Sequence, residues 1–182
     1  YDGGGIDQTF LGMGEVDEFG NVNVSKFAGR PIGCGGFINI TTTSKRVAFC
    51  GTFTTGGLKI TAENGKLKIL QEGNHKKFVK SVEQITFSGK YAAKRGKPIL
   101  YITERAVFRL LDGEVTLVEI APGIDLEVPR DGRTPCRVVC LPGVPAEMVE
   151  MWHDSVAAIV ERFVGSSRRV IRRRRIHCFG AG

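Results

Sequence analysis

Short apolar or alternating runs, each closed by a turn residue, fill most of the chain from residue 38 to residue 120. A period of two is the mark of a strand, and an unbroken apolar run of about five is the mark of a buried one. Ile38-Asn-Ile40 follows a glycine-rich loop and reads as a strand. Arg46-Val-Ala-Phe-Cys50 is apolar and ends at Gly51, as a buried strand does. Leu58-Lys-Ile60 and Lys66-Leu-Lys-Ile-Leu70 alternate, and Asn64-Gly65 between them predicts a hairpin. Gln84-Ile-Thr-Phe87 and Ile99-Leu-Tyr-Ile-Thr103 predict two further strands. Ala106-Val-Phe-Arg-Leu-Leu111 and Val115-Thr-Leu-Val-Glu-Ile120 flank Asp112-Gly113, a second hairpin turn. Gly20-Asn21 predicts a turn before Val22-Asn-Val24, and Pro122-Gly123 closes the strand-rich run.

The pattern then changes. Arg137-Val-Val-Cys-Leu141 predicts a short buried strand, and Pro142-Gly-Val-Pro145 a rigid turn. Residues 146–164 predict one amphipathic helix. Met148, Met151, Trp152, Ser155, Val156, Ile159, Val160 and Phe163 share its apolar face. Pro145 and Glu147 suit its start, and Gly165 its stop. Residues 170–176 predict a closing strand.

Charge changes at the same place. Residues 1–129 hold 16 Lys and Arg against 14 acids, whereas residues 130–182 hold 10 Arg, no Lys and 5 acids. Such a switch points to two segments of different history. At 182 residues, the chain accommodates one domain with a true core, or one domain and part of another. A hydrophobic share of 42% and a charged share of 25% are those of a soluble protein. No run of about 18 apolar residues is available to span a membrane. The chain opens without Met and stops on Gly-Ala-Gly, so it reads as a piece of something longer.

Cys34, Cys50, Cys136, Cys140 and Cys178 form an odd set without a CxxC pair. They argue against a disulfide scaffold and for a reducing cytoplasm. Cys136 and Cys140 have only His153, His177 and Cys178 to complete a metal site, at unsuitable spacing, so no metal is expected. Arg168-Arg169 and the run from Arg172 to Arg175 have no interleaved aromatic residues. They read as a solvated basic strand, and nucleic acid is not the expected partner.

Gly33-Cys34-Gly35-Gly36-Phe37 is the densest candidate for chemistry. One reading is a tight turn before a strand. The other is a set of backbone amides that hold a carbonyl oxygen or oxyanion. The residues alone leave the two level.

Several strings decide more. They are Tyr1-Asp-Gly-Gly-Gly-Ile-Asp7, Gly20-Asn-Val-Asn-Val-Ser-Lys-Phe27, Gly33-Cys-Gly-Gly-Phe-Ile-Asn-Ile40, Phe49-Cys-Gly-Thr-Phe53 and Gly56-Gly-Leu-Lys59. They continue with Val82-Glu-Gln-Ile-Thr-Phe-Ser-Gly89, Tyr101-Ile-Thr-Glu-Arg-Ala-Val-Phe108 and Glu119-Ile-Ala-Pro-Gly-Ile-Asp125. With these strings, residues 1–128 closely resemble the C-terminal part of the family I acetate/propionate coenzyme A transferases. The resemblance implies an α/β fold with a mixed open sheet. It implies transfer of CoA between short-chain carboxylic acids through a glutamyl-CoA thioester, reached by way of anhydrides. A carboxylate nucleophile splits one hard acyl transfer into easier steps, and oxyanion donors stabilise each one. Gly33, Gly35, Gly36 and Phe37 inherit the positioning of that thioester.

The family's glutamate lies in a glycine motif upstream of the matching region, and nothing here corresponds to it. Glu15, Glu18 and Glu104 occupy other family positions. The resemblance therefore implies no catalytic residue in this chain and an isolated chain without activity. Acyl-CoA and a short-chain carboxylate are the implied partners, with the CoA thioester as substrate and no permanently bound cofactor. The parent enzyme is implied to be a homo-oligomer.

Leu141-Pro-Gly-Val-Pro-Ala-Glu-Met148, the helix after it and the strand ending at Phe179-Gly180 resemble a late part of the CinA family's molybdopterin-binding-like domain. Residues 129–182 are then a strand–turn–helix–strand fragment of other origin, joined at residues 125–128. The alternative functions are a CinA-type nucleotide-binding or pyrophosphatase fragment, or a non-enzymatic basic binding module on the arginine tail.

Overall fold

The computed structural model describes residues 1–124; the strand, turn, helix and closing strand expected beyond them lie outside the described residues. The first half of the described chain runs β1 (Gln8–Gly12), β2 (Glu15–Val16), β3 (Val22–Asn23), β4 (Lys26–Phe27), β5 (Arg30–Pro31), α1 (Phe37–Thr43) and β6 (Arg46–Cys50). It continues through β7 (Thr54–Thr55), β8 (Lys59–Glu63), β9 (Lys66–Gln71), β10 (His75–Lys76), α2 (Gly89–Lys94), β11 (Ile99–Ile102), β12 (Ala106–Leu111) and β13 (Glu114–Ile120).

A five-stranded sheet in the order β1-β6-β11-β12-β13 organises these elements. β6 pairs in parallel with both β1 and β11, while β12 runs antiparallel to β11 and to β13. This is the mixed open α/β sheet expected from the sequence. β8 and β9 form a separate ribbon around Asn64-Gly65. Asn64 and Gly65, like Asp112 and Gly113, have positive φ, the conformation that favours these residues in hairpin turns.

Register explains the core. Leu11 pairs with Phe49, Phe49 with Tyr101, Tyr101 with Phe108, and Phe108 with Leu117. One row of large side chains thus crosses all five strands on one face. Phe49 and Tyr101 are fully buried and stack at 5.6 Å. Phe87 meets Phe49 edge-on at 5.0 Å, and Phe53, Phe78 and Phe108 form a second aromatic group. Each such pair adds about 0.5–1.5 kcal/mol to the burial of its area.

Two expected strands are corrected. Ile38-Asn-Ile40 lies inside α1. The β-branched string Phe-Ile-Asn-Ile-Thr-Thr-Thr is a weak helix former. Here Phe37 is buried against Phe49, and the hydroxyls of Thr41, Thr43 and Ser44 donate to the carbonyls of Phe37, Asn39 and Ile40. Lys97 Nζ donates to the carbonyls of Thr41 and Thr42, at 2.8 Å each, and so satisfies the end of the helix. Residues 84–87 are the second correction. They are not a strand of a sheet; Phe87 makes only an isolated bridge to Val22. The short helix α2 was not expected, although Ser88 is its N-cap and accepts from the Tyr91 amide.

Candidate functional site

The glycine loop is a turn first. Gly33 and Gly35 have φ of 90° and 51°, a region that glycine enters without strain. The Gly33 amide donates to the Ser25 carbonyl at 3.2 Å, and the Phe37 amide donates to the Cys34 carbonyl at 3.0 Å. Those two amides are engaged. The Gly35 and Gly36 amides have no acceptor among the described residues. Gly33 and Gly35 are exposed, with open space where a Cβ would stand. Gly36 lies beneath Tyr1, whose hydroxyl is 3.2 Å from where its Cβ would be.

Phe37 is only 7% exposed and stacks on Phe49 at 5.7 Å. Its side chain is a core group that anchors the loop. Because Phe49 is the penultimate residue of β6, this contact puts the loop towards the carboxyl end of that strand. Cys34 is half-buried and packs on the same core.

The carboxyl ends of β1, β6 and β11 gather a second group of side chains. Parallel strands in open sheets present their ligands at such ends. Glu104, in the turn after β11, is central. Its Oε2 accepts the Phe53 amide at 2.8 Å, and its Oε1 accepts Arg105 Nε at 2.7 Å. Arg105 in turn donates from both Nη atoms to the two oxygens of Glu72, at 2.6 and 3.0 Å. Thr54 Oγ1 donates to Glu72 and accepts the Gly73 amide, each at 2.9 Å. The Arg105 guanidinium also sits 4.8 Å over the Phe53 ring. Burial opposes the charge on Arg105, but its bonds to Glu72 and Glu104 outweigh that and raise its pKa. The Arg105 bond holds the Glu72 carboxyl below its usual range despite partial burial.

Lys77 also stands near these strand ends, within the influence of the Glu104 charge. Its Nζ donates to the Met13 carbonyl at 3.1 Å. Burial lowers its pKa, and the Glu104 charge partly offsets that. Its own amide donates to the Phe53 carbonyl, and its carbonyl accepts the Val16 amide, so the backbone here is fixed on both sides.

Sequence reasoning found the glycine loop but not the group at the strand ends. Lys77 lies in a run of polar residues that carries no motif. Among the described residues no cluster of three or more His, Cys, Asp or Glu side chains is placed to hold a metal ion, and no helix is long and apolar enough to cross a membrane. Cys136, Cys140, His153, His177, Cys178 and the arginine tail lie outside the described residues.

No protein-family model matches the chain. Individual relatives do. The acetate CoA-transferase YdiF of Escherichia coli K12 is 54% identical over 127 residues, covering 70% of this chain and 24% of that protein. The chain is homologous to the acetate CoA-transferases. Caffeate CoA-transferase of Acetobacterium woodii is likewise 54% identical, over 132 residues, with 70% and 25% covered. The crystal structure of the YdiF acyl-CoA transferase of Escherichia coli O157:H7 in thioester complex with CoA superposes with a TM-score of 0.65 at 54% identity. That superposition covers 68% of this chain and 24% of the other. The mixed open sheet is therefore that of a partial CoA-transferase domain. The chain spans about a quarter of the length of these relatives.

Proposed function

We propose that residues 1–128 are part of an acyl-CoA:carboxylate CoA-transferase of the acetate/propionate type. The observation that carries this reading is the 54% identity over 127 residues to an acetate CoA-transferase, together with the shared sheet. The enzyme works through a glutamyl-CoA thioester whose glutamate lies outside this chain. Gly33, Gly35, Gly36 and Phe37 position that thioester. Gly35 and Gly36 act through amides that no described residue accepts from, and Gly33 and Phe37 act by holding the loop in shape. Acyl-CoA and a short-chain carboxylate are the partners, in the cytoplasm, and the parent enzyme is a homo-oligomer. No cofactor stays bound between turnovers.

Residues 129–182 are a CinA-like fragment on this reading, supported by the string Leu141-Pro-Gly-Val-Pro-Ala-Glu-Met148. The change in charge beyond residue 129 favours a separate origin for them.

The test has two arms. The chain is incubated with acetyl-CoA and propionate, and propionyl-CoA is sought by mass spectrometry; none is expected. The same assay is then run on the polypeptide extended upstream of Tyr1 to include a glutamate in a glycine motif. Turnover is expected there, with a CoA thioester on that glutamate. Turnover by the isolated chain overturns the assignment of the nucleophile, and its absence from the extended polypeptide overturns the transferase reading.

A further inference from the structure

We infer that two copies of this chain associate through β8, whose open edge pairs antiparallel with the same strand of a second copy about a two-fold axis at Thr61. The homo-oligomer belongs to the transferase reading; this contact rests on the sequence and geometry of the β8–β9 hairpin, whatever the activity.

β8 and β9 form a two-stranded ribbon separate from the five-stranded sheet. Two strands alone are marginal in water, and an open edge is a row of unpaired amides and carbonyls. The β9 edge is partly closed. The Leu67 amide donates to the Pro122 carbonyl at 2.7 Å, and Gly123 lies against the Leu67 backbone. The β8 edge has no backbone partner besides β9 among the described residues. In an antiparallel pair, opposed residues either bond to each other or both point outwards. Leu67 points outwards to Pro122, so its partner Ala62 turns its amide and carbonyl to the open edge. Ile60, two residues away on β8, does the same.

The string Lys59-Ile-Thr-Ala-Glu63 is complementary to itself when reversed. With Thr61 opposite Thr61 of the partner subunit, Lys59 faces Glu63 of the partner subunit and Ile60 faces Ala62 of the partner subunit. Symmetry repeats both pairs. The Ile60–Ala62 pairs are then the hydrogen-bonded ones, each exchanging both backbone bonds. Ile60 is a large side chain, 44% exposed, and the pairing sets it beside a small one. Lys59 makes no ion pair among the described residues, and the contact of Glu63 with Lys68, at 3.6 Å, is between side chains that are each 61% exposed. An axis at Ile60 would put Lys59 opposite Thr61, and an axis at Ala62 would put Glu63 there, so charge selects the register. The edges of the large sheet offer less. β1 has no charged residue to fix a register, and the Val115 amide of β13 already donates to the Glu18 carbonyl at 2.9 Å.

The experiment is sedimentation equilibrium of the 182-residue chain over about 5–500 μM, the range suited to a small interface. A dimer that grows with concentration is expected. Glu63→Lys and Lys59→Glu should each weaken it about tenfold, because either change turns both ion pairs into like-charge pairs. The two changes together should restore the affinity to within about threefold of wild type. Thr61→Cys, mildly oxidised, should yield a disulfide joining position 61 of the two copies, identified by peptide mapping. Cα atoms in such a pair stand about 4.5 Å apart, within disulfide reach. Lys68→Cys, on β9, should not join to itself. A monomer at every concentration overturns the inference, as does a dimer indifferent to the single charge reversals. So does Thr61→Cys joining no more readily than Lys68→Cys, which decides the matter if the charge variants do not fold. CoA transfer by the extended polypeptide without this dimer sinks this inference alone. The dimer without CoA transfer sinks the transferase reading and leaves the contact standing.

Discussion

The Tyr101 hydroxyl donates to the Gly20 carbonyl at 2.7 Å, across 81 residues of chain. Tyr101 is fully buried at the centre of the sheet, so this bond ties the turn at residues 17–21 to β11. Tyr101→Phe leaves the Gly20 carbonyl without this donor and should cost about 1–3 kcal/mol in guanidinium denaturation.

The same residue predicts an alkaline response. Burial, reinforced by the Asp17 charge, raises the Tyr101 pKa well above its usual 10.0. The folded state therefore holds a proton that the unfolded state releases. Its contribution is complete below pH 10 and is lost as pH rises beyond that. Wild type should lose stability above pH 10 more steeply than Tyr101→Phe in denaturation curves taken at successive pH values.

Glu104 side-chain exposure is 11%, and that of Arg105 is 12%. Glu104→Ala removes the acceptor for Phe53 and one partner of a poorly hydrated arginine. A loss of about 2–3 kcal/mol is expected. Glu104→Gln keeps an oxygen for the Phe53 amide and should lose less. Equal losses in the two variants, measured by urea unfolding, would contradict this account.

Glu72 predicts the acid side. Its folded pKa is lowered from 4.5, chiefly by the Arg105 bond. The contribution is present above that ordinary value and disappears as pH falls through the lowered one. Its side chain is 54% exposed, so solvent screening keeps the effect below about 1 kcal/mol. Glu72→Gln should flatten the stability profile below pH 4.5 without changing it near neutrality by more than that amount.

The glycine loop should separate packing from chemistry. Phe37→Ala removes a buried ring from the Phe49 stack and is expected to cost about 3–5 kcal/mol. Gly35→Ala has room for its Cβ but sits at a φ of 51°, so it should cost about 1 kcal/mol. Thermal unfolding of the two variants checks the order.

Local rules were enough for much of the sheet. The apolar run at β6, the alternation in β12 and β13, and the Asn64-Gly65 and Asp112-Gly113 turns are written in neighbouring residues. Side-chain period and turn chemistry act over a few positions, so a single sequence exposes them. The glycine loop was visible for the same reason, as a cluster of residues without Cβ atoms.

Only the tertiary structure decided the rest. Residues 37–43 carry β-branched side chains suited to a strand, yet burial of Phe37 on Phe49 and the Lys97 cap make them a helix. Residues 84–87 have strand composition but find only the Val22–Phe87 bridge. Lys77 meets the Met13 carbonyl across 64 residues of chain, and Glu104 meets the Phe53 amide across 51. Such encounters depend on how strand ends are brought together, which no local pattern encodes. The sequence alone thus determined the strand-rich first segment, its hairpins and its family likeness. The folded sheet determined which charged side chains share the carboxyl ends of its parallel strands.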